Sequence, residues 1–331
     1  MRTKQLAVLK ALKEAGKPLS SPRIAEEVVA SGYDVSGRTV RLYLNEMDAQ
    51  GLTENLGRRG RLITQSGLRE LASSRGVERI GVLSAKIDQL AYSMDFDPVI
   101  RRGTVVVNLS LFSPEDLVES APLIDCVFKE GFATGRLMAL LPPGERVGEA
   151  TIPKRMIGVA TVCSISLNGV LLRYGIPTVS RFGGLLELQG KKPIRFVEIV
   201  NYDATSVDPL EIFVGSGMTD YVGATTSGDG LIGASFREFP AASRNQVIEL
   251  AERLEEVGLG GLSQIGWPSH SLLNIPVHEG RVGAVVFGGL SPVAVMVERE
   301  KRVHCRALAG LLSYSRLFSH QELDQRIREV A

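Results

Sequence analysis

The 331 residues predict a mixed α/β (α+β) body of two internally duplicated halves behind a small helical head that closes in a β-hairpin. Three observations carry this reading. Apolar residues in the first fifty positions recur at helical spacing and break at glycines. After Gly51 the period shortens to that of strands. From about residue 79 onward, apolar runs, glycines and prolines return in the same order after 123 to 126 residues. The length suits two or three domains, and an apolar fraction of 44% supplies an ordinary core.

The head is built from short elements. Leu6, Leu9, Leu12 and Ala15, with Val8, line one face of a helix over 3–15, and Gly16 ends it. Ser20-Ser21-Pro22 caps and starts a second helix, with Ile24, Ala25, Val28 and Val29 as its apolar face and Gly32 as its stop. Ser36 caps a third helix running to about Gln50, with Val40, Tyr43, Leu44 and Met47 at core spacing. Leu52–Leu56 and Arg61–Thr64 then alternate as strands around Gly57-Arg58-Arg59-Gly60, a hairpin tip. Helices two and three meeting across a short turn, followed by a hairpin, describe a winged helix-turn-helix over residues 1–75. A further short helix begins at Ser66-Gly67-Leu68, and Ser73-Ser74-Arg75-Gly76 reads as a linker.

Position points this head toward duplex DNA. Arg38, Thr39, Arg41 and Asn45 lie opposite the core stripe of the third helix, with Ser36 at its start. Arginine and asparagine can read base edges bidentately, and threonine reaches bases or phosphates. Arg58, Arg59 and Arg61 would sit over the backbone or the minor groove. Residues 1–79 hold fourteen Lys+Arg against nine Asp+Glu, whereas the remainder holds 24 against 28. A basic head on a mildly acidic body suits phosphate contacts by one domain and ligand binding by another.

The body, residues 76–331, divides into halves of about 79–203 and 204–331. Ile152-Pro153 matches Ile275-Pro276, and Val159, Val162, Leu167 and Val170 match Val282, Val285, Leu290 and Val293. Gly103, Ser110 and Pro114 match Gly228, Ser235 and Pro240, and Gly184-Leu185-Leu186 matches Gly310-Leu311-Leu312. A capped helix from Ser113 to near Gly131 answers one from near Ser243 to Gly258. Strands are expected over Val105–Leu111, Met156–Ser166, Arg195–Val200 and Val282–Phe287. Two related halves create a cleft, a common place for a small ligand.

Several classes are disfavoured. Three widely spaced cysteines, Cys126, Cys163 and Cys305, without a C-x-x-C fit a reducing cytoplasm rather than a disulfide scaffold. Charges at Arg2, Lys4, Lys10 and Lys13 leave no signal sequence, and no apolar run is long enough to span a membrane. Gly223–Gly230 lacks the Lys-Ser/Thr of a P-loop and reads as a turn. His270, His278, His304 and His320 are scattered, His304 and Cys305 point to opposite faces of a strand, and no G-x-S-x-G elbow occurs. No catalytic constellation or cofactor motif emerges. Cys163 and the histidines keep a second reading open, an enzyme or metal/redox sensor with an appended winged helix.

The run Ala160-Thr161-Val162-Cys163-Ser164-Ile165-Ser166-Leu167-Asn168-Gly169-Val170-Leu171-Leu172 continues through Tyr174-Gly175-Ile176-Pro177 into Ser180-Arg181-Phe182-Gly183-Gly184-Leu185. Together with Asp208-Pro209-Leu210-Glu211-Ile212-Phe213 and the winged head, it resembles the NrpR-type nitrogen regulatory repressors of methanogenic archaea. Here one regulatory region follows the head, whereas some relatives carry two in tandem. The resemblance implies a homodimeric repressor of nitrogen-assimilation or fixation genes that binds palindromic operators and is released by 2-oxoglutarate, a reversible effector. It also implies an effector cleft at the cysteine motif, here Cys163. A dicarboxylate needs cations or clustered N–H donors beside small polar groups. Cys163, Ser164, Ser166, Asn168 and Gly169 are expected to form a turn with exposed amides, with Arg181 as the cation and Arg155 and Arg173 as second choices.

Overall fold

The computed structural model describes residues 3–78, 82–301 and 303–330. Contacts divide the chain into two compact units, Met1–Ile80 and Gly81–Ala331, each with its own apolar core.

In the first unit, α1 (Thr3–Ala15), α2 (Ser21–Ala30) and α3 (Gly37–Ala49) enclose Leu9, Leu12, Ile24, Val28, Val40, Leu44 and Met47, all fully buried. Ser36 caps α3, its Oγ accepting from the Thr39 amide at 3.1 Å. β1 (Thr53–Asn55) and β2 (Arg61–Ile63) pair antiparallel, and Leu19 and Arg61 exchange two backbone hydrogen bonds of about 3 Å. Gly60 permits that third pairing. Its φ is +98°, and a Cβ there would collide with the Leu19 carbonyl. α4 (Gln65–Glu78) contains Ser73-Ser74-Arg75-Gly76, so the expected linker and the boundary at 75/76 fall inside a helix. The composition signalled a break, but one helical glycine costs only about 1 kcal/mol, and Leu71 is anchored in the core.

The second unit begins with α5 (Val82–Ser93), β3 (Thr104–Phe112), α6 (Pro114–Lys129), β4 (Leu137–Leu141), β5 (Arg146–Val147) and β6 (Ala150–Thr151). It continues through β7 (Ile157–Val162), α7 (Ile165–Arg173), β8 (Val179–Gln189), β9 (Lys192–Asn201), α8 (Pro209–Gly215) and α9 (Tyr221–Thr226). Then come β10 (Gly230–Pro240), α10 (Arg244–Glu256), β11 (Leu262–Ile265), β12 (Arg281–Phe287), α11 (Ser291–Glu298), β13 (His304–Ser313), β14 (Phe318–Ser319) and α12 (Leu323–Val330). The pairings in both large sheets are antiparallel, which makes the body α+β. The helix expected from Ser113 is α6, with Ser113 accepting from the Asp116 amide and Pro114 in the first turn.

One sheet has the order β13-β3-β7-β4-β14 and the other β11-β12-β10-β8-β9. The sequence halves and the sheets therefore do not coincide. β8 and β9, from before residue 204, complete the sheet of β10, β11 and β12, while β13 and β14 complete that of β3, β4 and β7. Register holds each exchange: Phe182 lies opposite Phe236 with their rings stacked 5.3 Å apart, and Leu311 lies opposite Val106. The helices follow suit, α6 packing on α11 and α7 on α10. Under the offset found in the sequence, each of these pairs is the counterpart of the other.

The expected strand Met156–Ser166 is too long. β7 ends at Val162 and α7 starts at Ile165, because Ser166 turns its Oγ to the Val106 backbone within the core.

Candidate functional site

The outward face of α3 and the hairpin tip form a cationic surface. Arg38 and Arg41 are exposed on α3, and Arg58 and Arg59 are exposed in the single turn joining β1 to β2. None of the four has a carboxylate partner among the described residues. Thr39 and Ser36 are closer to the backbone, their hydroxyls 2.9 Å apart at the cap. Leu42, which the sequence reading passed over, is 57% exposed between the arginines, where an apolar side chain can meet a thymine methyl. Its signal was an apolar residue off the core stripe.

Arg61 differs from the reading that set it over DNA. Its Nε donates to Asp48 Oδ2 at 2.9 Å and its Nη2 to Asn45 Oδ1 at 2.8 Å. Asp48 also accepts from Thr53 Oγ1 at 2.5 Å. A half-buried ion pair between hairpin and helix has more to gain from this internal geometry than from reaching outward. Arg61 thus fixes the angle of the hairpin on α3, and Asn45 keeps only its amide N–H groups free for a base edge.

In the body, Cys163 and Ser164 follow β7 and line a small cavity of about 10 Å³, room for roughly one water, with Asn108, Tyr202, Asp208 and Ala307. Here the two sheets meet so closely that a Cβ on Gly289 would strike the Val162 carbonyl. Thr161 Oγ1 donates to the Gly289 carbonyl at 2.7 Å. The expectation of exposed amides is corrected: Cys163, Ser164, Ser166, Asn168 and Gly169 are all buried, the last three inside α7. Ser166 bonds the β3 backbone, and Gly169 lies against Met94, so neither faces the cavity. Burial pushes the Cys163 thiol up to about 12, which keeps it protonated and a poor nucleophile. Among the described residues no group of three or more His, Cys, Asp or Glu could hold a metal ion.

The cation at this site is one that sequence reasoning missed. Arg237 of β10 is buried and donates through Nη1 to the Ser164 carbonyl at 2.7 Å and to Asn168 Oδ1. Its Nη2 reaches Ser164 Oγ at 2.8 Å and Ser235 Oγ at 3.3 Å, while its Nε finds no acceptor among the described residues. Asn168 donates in turn to Ser180 Oγ at 3.0 Å. Arg181, the expected cation, instead donates to Glu238 Oε1 at 2.6 Å and to the Pro276 carbonyl at 2.5 Å. His278 holds the other Glu238 oxygen. Arg155 and Arg173 are exposed and do not line the cavity.

Asp208 caps α8 and accepts from the Leu210 amide at 2.9 Å. Burial raises its carboxyl to about 6, with the negative charge of Glu211 adding to the effect. The free carboxyl titrates near 3.9, so the folded chain binds this proton more tightly than the unfolded one. The resulting penalty is absent below pH 4, grows as pH rises through 6, and reaches about 2–3 kcal/mol above it. Asp208→Asn preserves the cap. It is expected to gain on the parent protein in urea unfolding at pH 8 and to match it at pH 4. An equal difference at both pH values would exclude titration of Asp208 as the cause.

Comparison with known proteins agrees with both units. A family model described as NrpR regulatory domains NRD1 and 2 matches residues 80–319, and one described as the Ribonuclease R winged-helix domain matches residues 6–71. The global nitrogen regulator NrpRI of Methanosarcina mazei is 30% identical over 94% of this chain and 96% of its own length. The global nitrogen regulator NrpR of Methanocaldococcus jannaschii is 30% identical over 99% of this chain and 56% of that protein, so the chain spans little more than half of that relative. The crystal structure of a nitrogen repressor-like protein from Methanococcus jannaschii aligns with a TM-score of 0.60 at 24% identity, covering 71% of this chain and 97% of that one. That likeness speaks to fold. With its regulatory region matched from residue 80 to 319 and a relative matched nearly end to end, the chain belongs to the NrpR family of nitrogen regulatory proteins and joins a winged-helix domain to an NrpR regulatory domain.

Proposed function

We propose that this chain is a dimeric transcriptional repressor of nitrogen genes that holds a palindromic operator and releases it when 2-oxoglutarate enters the body. The observation that carries the DNA reading is the exposed cationic surface of Arg38, Arg41, Arg58 and Arg59, unpaired among the described residues, on a winged helix of a nitrogen-regulator family. Arg38, Arg41 and Asn45, with Thr39, take the base-reading role and the hairpin arginines take phosphates. The first unit serves DNA and the second serves the effector, working in the cytoplasm. Among the described residues no helix is long and apolar enough to cross a membrane. Four strands keep one order under the sequence offset, β13-β3-β7-β4 in one sheet and β8-β10-β12-β11 in the other, which supports an ancestral duplication of the body, while β14 and β9 join opposite edges.

The effector enters beside Cys163 and Ser164, where the water-sized cavity has to widen to admit it and Asn168 and Arg237 support the wall from behind. To signal, it must prefer the released state over the DNA-bound one. Half-sites of a dimer lie about 34–36 Å apart, so a small change in head spacing suffices to break register. The test is a gel shift on operator fragments with 2-oxoglutarate titrated in at fixed salt. Loss of the complex as ligand rises is the expected result. A complex untouched by millimolar ligand defeats the effector reading, and one insensitive to salt defeats the DNA reading.

A further inference from the structure

A second set of cations lies on the other side of the β13 backbone from the Cys163 cavity. Pairing of β13 with β3 jumps from Arg306 opposite Leu109 to Gly310 opposite Val107, leaving a bulge at 307–309. Leu308 there takes a φ of +51°, costly for a non-glycine residue and kept only where the surroundings impose it. The bulge turns two amides off the ladder. That of Leu308 donates to Asn108 Oδ1 at 3.1 Å, and that of Ala307 donates to the carboxylate of Glu211 on α8. Beside it, an open groove runs between α5 and the β5–β6 turn, lined by Lys86, Gln89, Gly148 and Arg306. Lys86 is half-buried with no carboxylate within salt-bridge distance among the described residues. Among the described residues Arg306 pairs with Glu149 alone, at 3.4 Å, and the Glu149 side chain is 90% exposed. Burial and the charge of Arg306 depress the Lys86 ammonium, and the nearby carboxylates of Glu211 and Glu149 only partly oppose them.

We propose that Lys86, Arg306 and the Ala307 amide form the carboxylate-binding part of the effector site, and that Glu211 is a built-in counter-anion which a small dicarboxylate displaces. This rests on the reading that the body takes an anionic effector. An incoming carboxylate takes the place of Glu211 as the anion facing Lys86 and Arg306 and accepts from the bulge amide. Glu211, carried on the seven-residue α8 together with Asp208, is then freed. Because α8 packs on β8, β10 and β13, it touches both sheets, and its release changes how they are held together.

The experiment is titration calorimetry of the full chain with 2-oxoglutarate, succinate and inorganic phosphate, on the parent protein and on Lys86→Gln, Arg306→Gln and Glu211→Gln. Each cation variant is expected to weaken 2-oxoglutarate binding by about tenfold or more, since each removes a charged hydrogen bond. Glu211→Gln is expected to tighten it several-fold, and operator binding without ligand should stay unchanged in the two cation variants. If operator complexes of the cation variants still dissolve at the parent concentration of 2-oxoglutarate, the inference fails while the proposed function stands. If 2-oxoglutarate leaves the operator complex intact but another of these anions binds in a Lys86- and Arg306-dependent way, the subsite stands and the effector assignment falls. Weaker binding in Glu211→Gln would make Glu211 a support of the site rather than a competitor and overturn its assigned role, and no anion binding at all would overturn the subsite.

Discussion

A chain carrying Arg38→Ala and Arg41→Ala together is expected to lose most of its operator specificity while folding normally. Both side chains are exposed and form no ion pair among the described residues, so their removal orphans no described carboxylate. Each bidentate base contact is worth about 1–3 kcal/mol, and two of them lower specific affinity by roughly 30- to 10⁴-fold. Binding to unrelated DNA falls less, because the Arg58–Arg59 tip still meets phosphates. Fluorescence anisotropy on specific and scrambled duplexes at one salt concentration separates the two terms. Equal losses on both duplexes would make the α3 arginines phosphate contacts, and no loss on either would remove α3 from the interface. Arg61→Ala provides the contrast. It frees the hairpin from Asp48 and Asn45, so it is expected to weaken both kinds of DNA through lost placement.

Replacing Arg237 with alanine is expected to destabilise the body by about 3 kcal/mol, for reasons that oppose one another. The guanidinium is enclosed with only neutral acceptors in contact, and burial pulls its pKa down. Removing it relieves that desolvation. Against this, the Ser164 carbonyl and Asn168 Oδ1 lose their donor, each costing about 1–3 kcal/mol, and the missing side chain leaves a void. Two stranded acceptors and a cavity outweigh one relieved charge. Arg237→Lys keeps a charge but cannot fork to Ser164 and Asn168 at once, and is expected to fall between the two. Urea unfolding reads the order directly. A wild-type midpoint for the alanine variant would mean that the relieved desolvation is as large as the lost bonds and the void together.

Local patterns were legible in the sequence, and distant pairing was not. The helices of the head, their caps at Ser36 and Ser113, and the hairpin around Arg58–Arg59 depend on neighbours a few positions away, which periodicity reports well. The exchange of β8 and β13 between sheets depends on partners about fifty to two hundred residues apart, to which no local spacing responds. The site suffered in the same way. Ser164 was recognisable as part of a motif, but its partner Arg237 lies 73 positions on, in a strand whose alternation conceals an inward-facing cation between Phe236 and Glu238. Arg61 was mistaken for a DNA contact because the sequence places it beside Arg58 and Arg59, whereas β pairing turns it back onto Asp48.

The mutual loan of strands bears on how the body is made and unmade. A fragment stopping near residue 203 would own β8 and β9 without the β10 edge that seats them, and would present β3 bare of β13. Nascent chains therefore cannot seal the first sheet until residues beyond 304 have emerged, so assembly waits on late, far-separated contacts and is expected to be slow. Once closed, neither sheet can come apart without unpicking the other, which points to a single cooperative melting step for the whole body rather than one for each half.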